Sequence, residues 1–353
     1  MRHRAFPGPR LETRALYERA GKFLLATIFR DDDARAWCKA NGIAITRAAD
    51  ETMDSTGGFL VPHELAAAIL DLRDMFGAFR RRARIMPMKH DSMGVPRHAG
   101  GTSAFFTAQN AAVSGTNANP DSMSLTAKKI GALVQISSEL EEDAIDSMVD
   151  YVANEIAFAF AAQEDDCAFN GDGTSKYGGM LGVSAIVLDG NHNKAKVTAA
   201  SGHNTFAGLD TTDLGNVMAA VQASAIPNAA WFCSQTAFAL TFCRLAGSGG
   251  GGYLDTRLVD GIPTPCYLGF PVVLTQKLPL VTSSLSGKVM LAFGDMYGAG
   301  VLGERRGITI ARSSHRYFDQ DQIGVLGTER FDAVLHQMGD NANFGQLAAL
   351  VGN

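Results

Sequence analysis

Two glycine-rich segments contain residue types that bind phosphate groups in nucleotide-binding proteins. Gly298, Gly300 and Gly303 have the G-x-G-x-x-G spacing of a dinucleotide-binding loop, and residues 171–176 read GDGTSK. A dinucleotide loop opens a helix, whereas residues 304–307 lead directly into a predicted strand, and the second segment lacks the G-K-[ST] order. We therefore interpret the first segment as a connection into a strand and the second as a turn that ends a helix.

Histidine and acidic side chains are the second group that could support chemistry, as metal ligands or general acids. His63 and Glu64 begin an H-E-x-x-H zinc motif, but Ala67 stands in place of the second histidine, which excludes a zinc protease on this motif. Acidic residues at 139–143 are predicted in the first turn of a helix, where they complement its dipole. Residues 163–166 are predicted to form a solvated or interface face. The chain has no G-x-S-x-G nucleophile elbow, and we expect no catalytic site, cofactor, metal or enzymatic activity.

The composition limits the classes of partner. The chain has 353 residues and a net charge of −5, and its 19% of charged residues is below the usual value of about 25%. The negative balance argues against a histone-like or repressor-like grip on nucleic acid. We interpret Arg80, Arg81, Arg82 and Arg84 as a solvated or subunit-facing charge run. The low charge predicts that partners cover much of the outer surface.

The cysteines indicate a reducing compartment, and the apolar runs are too short to span a membrane. The five cysteines form no C-x-x-C pair, which indicates isolated thiols rather than disulfides or a zinc site: Cys38, Cys167, Cys233, Cys243 and Cys266. No apolar run approaches the 18 or so residues that span a bilayer. The polar, arginine-rich N-terminus has no signal-peptide core, so we expect no membrane partner.

One long helix is predicted to organise the middle of the chain. Residues 130–136 alternate as a strand should, and Ser138 with Glu141 has the pattern of a capping box. The helix that follows is predicted to run to Phe169. About thirty residues at 1.5 Å each give a length of roughly 45 Å.

A long strand is predicted near the C-terminus. Residues 322–336 span roughly 50 Å as a strand, with the odd-numbered residues from Ile323 to Leu335 on one face. Residues 289–293 and 308–312 are predicted to be its partner strands.

The segment 86–126 is the least ordinary part of the sequence. It is rich in small and polar residues and has no helical period, and loops of this length inside a compact domain are usually functional. Residues 92–96, 103–109 and 122–126 are predicted to form a loose two-stranded hairpin. A thin excursion has little to pack against in its own chain, so we expect it to lie on a neighbouring copy.

The remaining segments are more ordinary. An α/β region is predicted at residues 186–285, with helices that begin near residues 211–213 and at Ser234 and strands at 230–233 and 271–274. At the N-terminus the predictions are a helical stretch over residues 1–40 that stops at Asn41-Gly42, a linker over residues 46–58, and a helix from Val61-Pro62 toward Phe79.

The ordered motifs of residues 56–336 resemble those of the Hong Kong 97-type (HK97-like) major capsid protein family of tailed bacteriophages. Each motif alone is weakly specific, but their joint order and spacing match the family. The motifs are residues 56–62 (TGGFLVP), 134–143 (VQISSELEED), 169–174 (FNGDGT), 179–182 (GMLG), 293–295 (FGD), 304–310 (ERRGITI) and 328–330 (TER).

The resemblance implies an α+β capsid fold with an N-terminal arm, a P-domain of long spine helix and long-stranded antiparallel sheet, an E-loop hairpin and an α/β A-domain. It divides the chain as follows: 1–56 arm, with a possible short scaffold-like character; 57–85 first P-domain helix; 86–130 E-loop; 131–185 P-domain spine; 186–285 A-domain; 286–336 P-domain long strands; 337–353 return to the A-domain.

Two departures from the family concern covalent chemistry. In the crosslinked prototype of the family, an E-loop lysine joins an asparagine near the long strand, helped by a glutamate. The corresponding positions here fall near Asp321 and Thr328, and a carboxylate in place of the amide removes the leaving ammonia. We therefore expect non-covalent stabilisation.

The segment before TGGFLVP is also shorter than the family's usual scaffolding segment. It is either removed or kept as an arm, and we favour retention.

The resemblance implies a viral major capsid protein that self-assembles, as pentamers and hexamers, into an icosahedral shell around double-stranded DNA. Portal, protease and decoration proteins are possible further partners, and the expected location is the virion, assembled in the host cytoplasm. One alternative is an encapsulin-type cellular compartment, against which the arm and the full E-loop argue. Another is an unrecognised α/β enzyme or binding module with a ligand pocket.

Overall fold

A computed structural model describes residue 22 and residues 32–41, 77–98, 120–137, 145–248, 253–259 and 262–353. The chain divides into two compact units. The first contains residues 1–81, 129–166 and 306–330, and the second contains residues 82–128, 167–305 and 331–353.

The described α-helices range from three to 26 residues. They are α1 (Asp32–Ala40), α2 (Ile145–Asn170), α3 (Val183–Leu188), α4 (Thr211–Ala219), α5 (Gln235–Ala237), α6 (Arg244–Ser248) and α7 (Met296–Ala299). A π-helix, Phe238–Cys243, joins α5 to α6, and short 3₁₀ helices cover Ser175–Tyr177, Ala223–Asn228 and Phe318–Gln320.

The described strands form three sheets. The strands are β1 (Arg84–Pro87), β2 (Ser92–His98), β3 (Pro120–Thr126), β4 (Lys128–Ser137), β5 (Lys196–Thr198), β6 (Ala230–Cys233), β7 (Leu254–Val259), β8 (Ile262–Tyr267), β9 (Phe270–Leu274), β10 (Val289–Gly294), β11 (Gly300–Tyr317), β12 (Gln322–Leu335) and β13 (Leu347–Val351). Their orders are β1-β11-β12-β4, β5-β13-β10-β6-β9-β8-β7, and the pair β2-β3.

The long helix is confirmed over the residues described. Helix α2 has 26 residues, a length of about 39 Å, and Val152, Ile156 and Phe160, spaced by four residues, form a buried stripe along one of its faces. It ends at Asn170 because Gly171 begins a turn that only glycine fits: a Cβ there would lie 2.5 Å from the carbonyl oxygen of Cys167. The interpretation of GDGTSK as a helix-ending turn is thus confirmed. The predicted capping box at residues 138–141 lies outside the described residues.

The long strand is confirmed with its predicted face. Every odd-numbered residue of β12 from Ile323 to Leu335 is buried. Gly327 on this face packs against α2, since a Cβ at this position would approach Cγ2 of Ile156 to 2.8 Å. The absence of a side chain therefore lets the helix lie close to the strand within the first unit.

One predicted strand pairing is wrong. Residues 308–312 do lie in β11, which neighbours β12, but residues 289–293 lie in β10, between β13 and β6 of the seven-stranded sheet. All six residues of β10 are buried. An uninterrupted apolar run without alternation is typical of a central strand covered on both faces, and this strand fills that role in the second unit.

An aromatic core packs against the seven-stranded sheet. The predictions for this region are largely confirmed. Trp231 lies 4.4 Å from Phe293 and 5.4 Å from Phe242 between ring centroids. Strands occupy residues 230–233 and 270–274, and the side chain of Ser234 accepts from the N–H of Ala237 at the start of α5. Helix α4 is capped by Asp210 rather than by the residues 211–213 that the sequence indicated.

The N-terminal predictions can be compared only in part. Helix α1 ends at Ala40, and the N–H of Asn41 donates to the carbonyl of Trp37, in agreement with the predicted stop. The linker at 46–58 and the helix from residue 61 as far as residue 76 lie outside the described residues. Residues 78–82, which the predicted helix was expected to reach, form a turn, and β1 begins at Arg84.

Candidate functional site

A buried arginine–carboxylate pair joins the segment before β1 to the long helix. The guanidinium of Arg80 donates to both carboxylate oxygens of Glu164, from Nε at 2.9 Å and from Nη2 at 2.7 Å. The two side chains are 2% and 0% exposed. A bidentate pair of this kind fixes direction as well as distance, so it sets the angle at which the segment meets α2.

A second carboxylate from the long strand faces the same guanidinium. Oε1 of Glu329 lies 3.5 Å from Nη2 of Arg80, and Glu329 is 1% exposed. Arg80 therefore lies between a helix and a strand of the first unit and contacts a carboxylate from each. Removing one member of a buried pair leaves an uncompensated charge, which costs about 3–5 kcal/mol.

Asp165 completes what we call the ionic cluster: Arg80, Glu164, Asp165 and Glu329. Its carboxylate accepts the backbone N–H groups of Ala78, at 3.0 Å, and Phe79, at 2.8 Å. Burial and, to a smaller extent, the neighbouring Glu164 raise the pKa of Asp165 to about 6, against the lowering effect of these two hydrogen bonds. The cluster thus holds backbone and side chains of one segment against one turn of α2.

The ionic cluster corrects two predictions. Residues 163–166 were expected to be a solvated or interface face, but Glu164 and Asp165 are buried. Arg80 was expected in a solvated or subunit-facing charge run, but it is buried. The helical period contains the missed signal, because Glu164 follows Phe160 by four residues and so lies on the buried stripe.

The second unit contains a two-stranded hairpin, β2–β3. Strands β2 and β3 pair antiparallel, with Ser92 opposite Thr126 and His98 opposite Pro120. The hairpin predicted for residues 92–96 and 122–126 is therefore confirmed, whereas residues 103–109 lie outside the described residues.

An apolar cluster and three polar contacts anchor the base of the hairpin. Met88, Val95, Leu125 and Val301 form the buried cluster. The N–H of Thr126 donates to Oδ2 of Asp332 at 2.6 Å, the N–H of Met88 donates to the carbonyl of Glu304 at 2.7 Å, and Arg305 forms an ion pair with Asp91. Burial raises the pKa of Asp332, against the lowering effect of the Thr126 hydrogen bond.

The glycine motif at 298–303 serves this packing. Helix α7 ends at Ala299 and β11 begins at Gly300, so the motif runs into a strand, as predicted, and does not open a helix. A Cβ on Gly303 would lie 2.7 Å from Sδ of Met88. Close approach of the hairpin base, rather than phosphate binding, thus accounts for this glycine.

A scan against protein-family models matches residues 57–338 to the phage capsid family. The chain belongs to the phage capsid family. The match takes in the long helix, the hairpin and both long strands.

Individual relatives agree with this membership. The chain is 32% identical over 127 residues to the major capsid protein of Klebsiella oxytoca phage phiKO2, an alignment that covers 36% of this chain and 30% of that protein. The chain thus matches less than a third of the length of this curated relative.

Solved structures share the fold. The capsid of the native GTA particle, computed with C5 symmetry, aligns with a TM-score of 0.55 at 17% identity and covers 88% of this chain and 99% of its own. Mycobacterium phage Bobi aligns with a TM-score of 0.55 at 17% identity and covers 78% and 90%. The fold of this capsid-family chain is therefore the HK97-like α+β fold that the motifs indicated.

One histidine–carboxylate group in this capsid-family chain has the spacing of a metal site. His203, Asp210 and Asp213 place ligand atoms within 4.8 Å of one another. The carboxylate of Asp213 already accepts from His203 at 2.6 Å and from the N–H groups of Ala200 and Asp210, and Asp210 in turn accepts from the N–H of Asp213. Burial opposes ionisation of Asp213, but these hydrogen bonds lower its pKa overall. The group is accounted for as the capping box of α4.

A half-open cleft of about 360 Å³ lies beside the hairpin base in the second unit. Its lining includes Lys128, Leu181 and the buried Asp332, whose carboxylate already accepts from Thr126. Among the described helices, none is both long and apolar enough to cross a bilayer.

Proposed function

We propose that this chain is a phage major capsid protein, the subunit of an icosahedral shell that encloses double-stranded DNA, and that it is not an enzyme. The observation that carries the proposal is the family match over residues 57–338, which includes the long helix α2, the long strands β11 and β12, and the hairpin β2–β3. The mechanism is packing. Many modest interfaces join identical subunits, and the assembly becomes a closed shell when the rotations between neighbouring subunits add up to complete turns.

The two anchored regions give this mechanism a physical basis. In the first unit, the ionic cluster holds residues 78–80 against α2 and β12. This favours a rigid arrangement of the helix and the strand under contact with neighbouring subunits. In the second, the hairpin β2–β3 is held at its base, and an isolated two-stranded hairpin is marginally stable in water. We infer that the outer part of the hairpin is stabilised by the surface of a neighbouring subunit.

The family's domain division is part of the proposal. The P-domain would comprise residues 57–85, 131–185 and much of 286–336, the E-loop residues 86–130, and the A-domain residues 186–285 with 337–353. The position of β10 in the seven-stranded sheet favours moving residues 289–294 to the A-domain. Residues 1–56 would be an arm that remains in the finished particle.

We propose that the shell is held without covalent crosslinks. The sequence has no lysine from residue 90 to residue 127, so most of the E-loop lacks the required amine. Thr328, which stands near the position of the assisting glutamate, directs its hydroxyl toward the carbonyl of Thr309 at 3.5 Å. A denaturing gel of purified particles should show one monomer band, and a ladder of multimers would contradict this part.

Pentamers and hexamers are the proposed intermediates, and portal, protease and decoration proteins are the proposed further partners in the host cytoplasm. Sedimentation of the purified full-length protein, followed by nuclease treatment and analysis of the contents, tests the function. Shell-sized particles that protect DNA when assembled with the phage's packaging proteins support it. Particles that instead copurify one enzyme as cargo support an encapsulin-type compartment, and a stable species of a few subunits with a bound small molecule supports an enzyme or binding module.

A further inference from the structure

Strand β7 lies at one edge of the seven-stranded sheet, and no described strand pairs with its outer side. In the described part of the chain, β7 is the last strand of the order and pairs only with β8, with Leu254 opposite Tyr267 and Val259 opposite Ile262. Natural proteins usually blunt such edges with proline, charge or very short strands, because an open edge is a template for another strand.

The backbone of β7 alternates between its partner and the open edge. The N–H of Leu268 donates to the carbonyl of Tyr253 at 2.9 Å, one position before β7 begins. Because hydrogen-bonded and non-hydrogen-bonded pairs alternate in an antiparallel ladder, the odd-numbered residues of β7 bond to β8. The backbone groups of Leu254, Thr256 and Leu258 therefore turn toward the open edge.

The two edges of this hairpin are treated differently. Pro263 and Pro265 of β8 lie opposite Leu258 and Thr256, so the positions without an N–H face away from β7. Strand β9 pairs with β8 only at Cys266 and Tyr267. Proline thus blunts the outer part of the β8 edge, whereas β7 has none.

The side chains of β7 are complementary to themselves. The strand reads LDTRLV, and two antiparallel copies centred on Thr256 place Asp255 opposite Arg257 twice and Leu254 opposite Leu258 twice. The same register makes Thr256, Leu254 and Leu258 the hydrogen-bonded positions. Opposite charges and apolar pairs facing each other across strands each stabilise a sheet by about 0.2–1 kcal/mol.

Within the described residues, the two charged side chains of β7 contact each other and the strand's own backbone. Nε of Arg257 donates to Oδ2 of Asp255 at 3.2 Å, and the N–H of Thr256 donates to Oδ1 of Asp255 at 2.7 Å. The side chains of Arg257 and Asp255 are 58% and 63% exposed. Leu258 is 75% exposed, while Leu254 on the same face packs against the aromatic core.

We propose that β7 pairs antiparallel with β7 of a second copy about a two-fold axis at Thr256. Each Asp255 exchanges its local partners for Arg257 of the other copy, and the backbone groups at Thr256 bond across the axis. Each Leu258 is covered by Leu254 of the other copy, next to that copy's core. The pairing goes beyond the proposed shell function and does not depend on it.

A disulfide at the axis tests the register. Hydrogen-bonded antiparallel residues have Cα atoms about 5.5 Å apart, within the range of about 4.4–6.8 Å that a disulfide bridges. In a Cys243→Ser background, which removes the exposed native thiol, Thr256→Cys should give a diamide-induced dimer at about ten times or more the yield of Leu258→Cys. The control fails because its two sulfurs start about 13 Å apart along the strands.

Charge reversal tests the pairing without a crosslink. The full-length variants Asp255→Arg and Arg257→Asp each place like charges opposite each other, so each alone should self-associate about tenfold more weakly than the wild type. An equal mixture of the two variants should recover association, because every facing pair is again opposite in charge.

The outcomes separate this proposal from the proposed function. A Thr256→Cys dimer with recovery in the mixture supports the pairing, whether or not particles form. No Thr256→Cys dimer, an equal yield from Leu258→Cys, or no recovery in the mixture overturns it, even if electron microscopy shows intact shells.

Discussion

Two arginine–carboxylate pairs in this chain have similar chemistry and different surroundings. Arg80 and Glu164 are 2% and 0% exposed and bidentate, whereas Arg257 and Asp255 are 58% and 63% exposed and joined through one nitrogen. A buried charge has lost its water and depends on its partner, while an exposed pair can exchange its partner for water or for another subunit. We infer that the first pair maintains the fold and the second selects a neighbour.

The largest effect expected from this comparison is the loss of Arg80. Arg80→Met removes the guanidinium that contacts both Glu164 and Glu329 while the two carboxylates stay buried, so the free energy of unfolding should fall by about 3–5 kcal/mol. Urea denaturation of the full-length protein measures this. Arg84→Met, which alters an exposed arginine four residues away, is the matched control and should change the midpoint little. Equal midpoints for the two variants would contradict the role of the cluster.

The next effect concerns pH and Asp165. Its pKa is about 6 in the folded chain and 3.8 in the unfolded reference, so the folded state binds the proton more tightly. Its contribution to stability is greatest below pH 4 and is lost as the pH rises through 6, by an amount on the order of 3 kcal/mol.

The matched variant for this pH effect is Asp165→Asn, which cannot titrate. Urea midpoints of the two proteins should diverge between pH 4 and pH 6.5, with the wild type losing stability relative to the variant as the pH rises. A difference that stays constant over this range would show that Asp165 does not titrate as its burial requires.

A smaller effect is expected where α2 lies against β12. Gly327→Ala introduces a Cβ 2.8 Å from Ile156, and overpacking of this kind costs about 1–3 kcal/mol. Gly94→Ala in β2 is the control, since nothing lies within 4 Å of its Cβ position. Thermal or urea unfolding that ranks the two variants equally would contradict the close packing of helix on strand.

The smallest effect is expected at the exposed pair. Arg257→Met should change the free energy of unfolding by less than about 0.5 kcal/mol, because an exposed ion pair contributes little in water. The same variant should weaken association through β7. A large loss of stability without any change in association would reverse the contrast drawn between the two pairs.

The sequence predicted the elements whose pattern extends over many residues. The apolar period of α2 and the alternation of β12 are each sustained over several repeats, so neither depends on a single position. The hairpin at 92–98 and 120–126 was visible as a segment without helical period, and the family motifs placed it in order. The family, and with it the fold, was within reach because the motifs occur in sequence over most of the chain.

The pairing of residues within the ionic cluster could not be predicted from the sequence. Glu329 belongs to the predicted face of β12, but nothing local in the sequence identifies Arg80 as its partner, because the two residues are distant in sequence. Glu164 was detectable from its spacing to Phe160. Strand β10 was misplaced because an apolar run signals burial but not which sheet provides it.

Electron microscopy of the purified full-length protein tests the central claim most directly. The account predicts closed shells of uniform size when the protein is concentrated under assembly conditions. A monodisperse single subunit that forms no particles at any concentration, and that resists proteolysis across residues 86–130 on its own, would contradict it.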